Sequence, residues 1–101
     1  MNIARQFMVD IDLPNTLTTE FISLIPEQRA QVNNLLQEGR ISSYTLALDR
    51  SKLWATFLAE SQEEVMDILS TFPLIRYMDI NIHELAFHQM ANLALPAISL
   101  N

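Results

Sequence analysis

The sequence predicts an α+β fold, in which one four-stranded antiparallel sheet carries two helices on a single face. Three observations support this. Four stretches alternate apolar and polar residues with a period of two, two others space apolar residues as a helix does, and the order is β-α-β-β-α-β. At 101 residues the chain is one domain, and folding at that size buries roughly two-thirds of the surface an extended chain exposes. Half of the residues are apolar, the upper end for a small soluble domain, so self-association is already expected.

The first strand covers residues 3–13, with Ile3, Phe7, Val9, Ile11 and Leu13 on one side, and Pro14 stops it. Over residues 18–38, Phe21, Leu24, Ile25, Val32, Leu35 and Leu36 form one helical stripe that ends at Gly39, the only glycine, where a C-cap belongs. Pro26 lies inside this helix, and a kink or a fresh helical start is expected there. Residues 41–48 and 53–59 flank the polar turn DRSK and read as a hairpin. Ser61 and Glu64 form a capping box, after which Val65, Ile68, Leu69 and Phe72 recur at helical spacing until Pro73. The last strand spans about residues 76–88. Its apolar side changes along the way, from Ile80 and Ile82 to Leu85 and Phe87. A bulge near His83 and Glu84 would turn the chain toward another surface, while a strand ending at Ile82 accounts for the same pattern. This element order is the ferredoxin-like arrangement.

Two helices on one side leave the other face of the sheet to water, yet the third strand is apolar on both faces. Leu53, Ala55, Phe57 and Ala59 oppose Trp54, Thr56 and Leu58. Either Trp54 and Leu58 are half exposed on a central strand, or a second subunit covers them. Fully burying each would contribute about 1.5–3 kcal/mol, and a contiguous apolar patch marks an interface, so sheet-to-sheet pairing around a cavity is expected. Residues 89–101 contain no charged side chain but carry Leu93, Leu95, Ile98 and Leu100. They are read as an apolar C-terminal tail, separate from the domain of residues 1–88. It is expected to dock on a neighbouring subunit, or failing that on its own.

With a formal net charge of -6 and six Lys and Arg scattered singly, the chain has no basic stripe for phosphates, so nucleic acid is not an expected partner. The absence of Cys removes disulfides, thiolate nucleophiles and thiolate zinc sites together. No basic-then-apolar leader precedes Phe7 and no apolar run approaches ~20 residues, so a soluble, cytoplasmic protein without membrane contact is expected. One glycine permits no phosphate-cradling loop, and no nucleophilic triad is legible. Any activity should be cofactor-free.

FPLIRYMDINI, over residues 72–82, resembles the muconolactone delta-isomerase family: an aromatic before Pro, an apolar residue, then Tyr-Met-Asp running into the final strand. Leu13-Pro14, IPEQR and LLQEG are similar to the family in place and spacing, so the resemblance covers roughly residues 7–88. It implies a protomer whose sheet pairs with a second one in a dimeric α/β barrel, with dimers assembling further. For the isomerases proper it also implies movement of a proton between carbons of a small unsaturated lactone acid, without metal or organic cofactor.

Such chemistry needs a group that accepts a proton and returns it, commonly a carboxylate in a dry cavity. The resemblance places a Glu eleven residues before the helix-ending glycine, and this chain has Gln28 there, which does not titrate in water. Gln28 sits centrally in the apolar stripe, either as a buried amide satisfied by backbone or water or as one that faces a ligand. Glu27 is the substitute base, turned about 100° away on a regular helix and brought inward only by distortion at Pro26. Tyr44 and Tyr77 are candidates to point a hydroxyl into a cavity, Trp54 to form its wall, and His83 to meet a ligand. Core packing is the competing reading for the aromatic residues, and a surface position for His83. Asp79 and His83 lie about 13 Å apart along an extended strand, too far to share a metal. Three functions compete: a cofactor-free enzyme acting on a small hydrophobic acid or lactone, a binding module on the same scaffold that has lost the base, and a structural unit of a homo-oligomer.

Overall fold

The computed structural model describes residues 5–91. Its elements are β1 (Arg5–Asp12), α1 (Thr19–Gln37), β2 (Ile41–Leu46), β3 (Lys52–Ala59), α2 (Gln62–Leu69), a single 3-10 turn at Ile75–Tyr77, and β4 (Asp79–Glu84). The four strands form one antiparallel sheet in the order β2-β3-β1-β4, the α+β, ferredoxin-like architecture. The core lies between sheet and helices. Phe7, Val9 and Ile11 of β1 and Leu53, Ala55 and Phe57 of β3 pack with Val32 and Leu35 of α1, Val65, Ile68 and Leu69 of α2, and Phe72.

The helix ends follow from local chemistry. Thr18 Oγ1 accepts the Phe21 N–H at 3.1 Å, so an otherwise orphaned donor at the start of α1 is satisfied. At the other end Gly39 adopts φ +76°. Its N–H reaches the Leu36 carbonyl at 3.2 Å and the Arg40 N–H reaches that of Leu35 at 2.9 Å, the paired closure of a Schellman motif. Helix α1 continues through Pro26 with no fresh start, although the proline has no N–H to give to the Ile22 carbonyl. Ser61 Oγ accepts the Glu64 N–H at 3.1 Å, but Glu64 reaches back to the N–H of Glu60, at 2.7 Å, one residue beyond the usual capping-box partner.

No bulge occurs at His83 and Glu84. The β1–β4 register runs unbroken from Phe7↔Glu84 to Asp12↔Asp79. The strand ends at Glu84, with one further bond from the Leu85 N–H to the Gln6 carbonyl at 2.8 Å. The phase change of the apolar pattern reflects this end, since Leu85 and Phe87 belong to the segment that leaves the sheet and Phe87 is exposed. The register shift in the sheet lies instead in β2, between Ile41 and Ser43. Of the expected tail, residues 92–101 lie outside the described residues.

The helix-free face of the sheet is mixed. Thr56, at its centre, is fully buried by the chain itself, accepting from Ser43 Oγ at 2.9 Å and lying 3.6 Å from Met8 Sδ. Trp54 and Leu58 flank it and are half-buried. Toward one end the face becomes charged, with Lys52 Nζ 2.8 Å from both Asp10 and Asp12; these hydrogen bonds raise the ammonium pKa above its ordinary value. No described helix is long and apolar enough to cross a membrane.

Candidate functional site

On the helix side, an apolar pocket of ≈ 140 Å³ opens between α1, the β2–β3 hairpin and the segment after α2. Leu13, Phe21, Ile25, Leu46, Leu53 and Met78 supply most of its wall. A cavity of about this volume accommodates a single benzene-sized ring. Its polar lining consists of Gln28, Tyr44, Arg29 and Arg50.

Gln28 is only 4% exposed. Its Oε1 accepts the Leu74 N–H at 3.1 Å and its Nε2 donates to Tyr44 Oη at 3.2 Å. The Leu74 N–H can only donate, so it fixes which end of the amide faces which partner. The 3-10 turn that follows Pro73 is what brings Leu74 over helix α1, so the FPLIRYM segment serves to anchor this amide. Tyr44 Oη acts as an acceptor toward Gln28, which leaves its own proton available for another partner. Burial raises the Tyr44 phenol above its ordinary pKa, and the Gln28 hydrogen bond offsets this only in part. The group is therefore a neutral donor near neutral pH.

Arg29 follows Gln28 on α1, and Arg50 lies in the β2–β3 turn; both are exposed and mark the solvent edge of the pocket. Arg50 has φ +63°, in the left-handed region, and is the only described non-glycine residue there. Its N–H bonds the Ala47 carbonyl at 2.9 Å, closing the turn, and the Ala47 N–H bonds the Lys52 carbonyl at 2.9 Å. The Asp49 carboxylate accepts from the Ser51 N–H at 3.0 Å and from Ser51 Oγ at 2.7 Å, which holds its pKa below the ordinary range.

Of the residues singled out from sequence, Gln28 and Tyr44 meet in this pocket. Glu27 is exposed and does not line it, because α1 runs unbroken through Pro26 and successive residues on a helix point about 100° apart. Trp54 and His83 lie on the opposite, helix-free face. Tyr77 packs edge-on against Phe21, with ring centroids 5.1 Å apart, and donates to Glu20 Oε1 at 2.7 Å while Arg76 donates to it at 3.1 Å. Sequence reasoning missed Arg29 and Arg50. A hairpin turn without glycine was the available signal for Arg50. Among the described residues no group of three His, Cys, Asp or Glu could hold a metal ion.

These features define a small α+β domain with an apolar, ring-sized pocket edged by hydrogen-bond donors. A family model described as muconolactone delta-isomerase matches residues 6–91, and the chain belongs to that family. The crystal structure of muconolactone isomerase at 3.3 Å resolution superposes with a TM-score of 0.68 at 23% identity, covering 86% of this chain and 94% of the other. That likeness establishes the shared fold. No curated protein matches the chain by sequence.

Proposed function

We propose that this protein binds a small, largely apolar acid or lactone in the α1–hairpin pocket and does not carry out the proton transfer associated with the isomerases of its family. The observation that carries this reading is the lining itself. Where the resemblance places a glutamate, Gln28 is bound to Tyr44 and to the Leu74 backbone, and the titratable groups that line the pocket are Tyr44, Arg29 and Arg50. None of these is a base near neutral pH. The reading includes a homo-oligomer in which two sheets pair across Trp54 and Leu58, supported by the half-buried apolar side chains around Thr56 on the helix-free face.

Mixing the pure protein with muconolactone and following ultraviolet absorbance tests the reading. The expected result is no turnover together with a ligand-dependent rise in melting temperature. Turnover above the uncatalysed rate that survives Gln28→Ala would restore the cofactor-free isomerase reading.

A further inference from the structure

We infer that residues 73–78 form a strap that gates the pocket, with Glu20 as the positioning residue that latches it shut. Gating rests on the binding reading above; the opening of the strap does not.

The strap runs between two fixed ends. Phe72 is buried in the core, and at Asp79 the chain enters the sheet opposite Asp12. Between them lies a single 3-10 turn. Its bonds run from the Ile75 N–H to the Phe72 carbonyl at 3.0 Å, from Tyr77 to Leu74 at 2.9 Å and from Met78 to Ile75 at 3.0 Å. No side chain caps this turn, and none within Ile75–Tyr77 is buried. A 3-10 turn has poorer hydrogen-bond geometry than an α-helix, and one with little buried apolar surface opens at a lower free energy than the core beside it. Leu74 and Met78, on the inner side of the strap, form part of the pocket wall. Apart from Leu13, Leu17 and Arg50, the rest of the lining stands on α1, β2 and β3, which carry the core and cannot move without disrupting it.

Two polar fastenings hold the strap to α1. The inner one is the Leu74 N–H to Gln28 Oε1, shielded from water by the burial of both residues. The outer one is a triangle: Tyr77 Oη donates to Glu20 Oε1 at 2.7 Å, Arg76 pairs with the same Glu20 oxygen, and Arg76 donates to Tyr77 Oη at 3.1 Å. The Glu20 and Arg76 side chains are 58% and 61% exposed, so water and salt compete for them and the triangle is easily broken. Its position gives it leverage. The Tyr77 ring rests edge-on against Phe21, which itself lines the pocket. Once Glu20 lets go, only the Phe21 contact and the Gln28 bond keep the strap in place, and its departure takes Leu74 and Met78 out of the wall.

Hydrogen exchange on the full chain, followed amide by amide by NMR, measures the opening. In the parent, the Ile75, Tyr77 and Met78 amides should exchange together and faster than those of β1. Glu20→Gln should speed them about twofold to fivefold, the range an exposed latch can supply, and leave β1 unchanged. Tyr77→Phe, which keeps the ring on Phe21, should act alike. Glu84→Gln, which removes the exposed pair with Arg5 at the other end of β4, should leave the strap amides as they are. Benzene, whose ring the pocket volume fits, probes the gate. NMR line shapes should show entry and exit faster by the same factor in Glu20→Gln at an unchanged Kd, because the strap is closed in both the free and the bound protein. Strap amides that exchange only with β1, or that Glu20→Gln leaves unchanged, overturn the strap. Equal acceleration by Glu84→Gln assigns the effect to global stability and overturns the latch. Faster exchange with unchanged benzene rates overturns the gate while the binding reading stands. Failure of benzene to bind in saturated solution overturns the binding reading and the gate together, and exchange still decides whether the strap opens.

Discussion

Gln28→Glu is the most informative single change, because it restores a carboxyl at a position the fold has desolvated. The amide it replaces is 4% exposed and accepts from the Leu74 N–H at 3.1 Å. Tyr44 needs only to rotate its hydroxyl, giving to the introduced carboxylate the proton that is free in the parent. Burial disfavours the charged form, while the two donors and the exposed guanidiniums of Arg29 and Arg50 favour it. With the guanidiniums screened by solvent, burial dominates and the folded pKa should stand on the order of 1–3 units above an unfolded value of about 4.3. An acid with a raised folded pKa holds its proton longer folded than unfolded, so ionisation favours unfolding. Relative to the parent, the variant should be most stable below pH ~4, lose stability as pH rises toward the folded pKa, and level off above it. Two units correspond to about 2.7 kcal/mol, or roughly 10–20 °C of melting temperature for a domain of this size. Paired melts of parent and variant from acid to neutral pH measure the difference. A difference that does not change with pH would refute the claim that this position is dry.

Tyr44→Phe removes the acceptor for Gln28 Nε2 and should cost about 1–2 kcal/mol, read as a lower melting temperature, and weaken acid binding by loss of the free hydroxyl. Trp54→Lys places a charge on the helix-free face beside the fully buried Thr56; light scattering should show weaker association, and an unchanged mass would count against sheet pairing. Glu20 is held below the ordinary carboxylate range by the Tyr77 hydroxyl first and by Arg76 second. Its contribution is therefore present above the unfolded pKa and lost as pH falls through the lowered one, so Glu20→Gln should flatten the acid limb of the stability profile.

The sheet and its helices were legible because burial imposes a period on the sequence. Past the exposed Arg5 at its first position, every β1 residue on the helix-facing side is fully buried, Phe7, Val9 and Ile11 in turn, and the alternation of β3 follows the same rule. Local signals set the ends equally well: Thr18, Ser61 and Gly39 act through backbone groups within a few residues of themselves. Misreadings arose where periodicity loses its cause. Beyond Glu84 no partner strand enforces alternation, so Leu85 and Phe87 carry an apolar pattern without a strand beneath it. At Pro26 the lost hydrogen bond is one among many in a 19-residue helix, too little to restart it.

The pocket was most legible at Gln28, because a polar residue on an apolar stripe violates a rule that can be read from one helix, whereas Tyr44 was one of two tyrosine candidates with nothing in the sequence to join it to Gln28. Its partners come from elsewhere in the chain. Tyr44 is 16 residues away, Leu74 is 46 away, and Leu74 takes part through a backbone N–H that no side-chain pattern encodes. Trp54 lies on the face away from Gln28, where the expected cavity is one between paired sheets, and a one-residue step along β3 separates it from Leu53, which lines the pocket on the helix side. The arginines illustrate a different limit. A surface cation is ordinary in sequence, and what distinguishes Arg29 and Arg50 is that neither has an ion pair among the described residues. That is a property of the whole arrangement of charges, visible only once Glu84, Glu38, Asp10, Asp12 and Glu20 have found their partners.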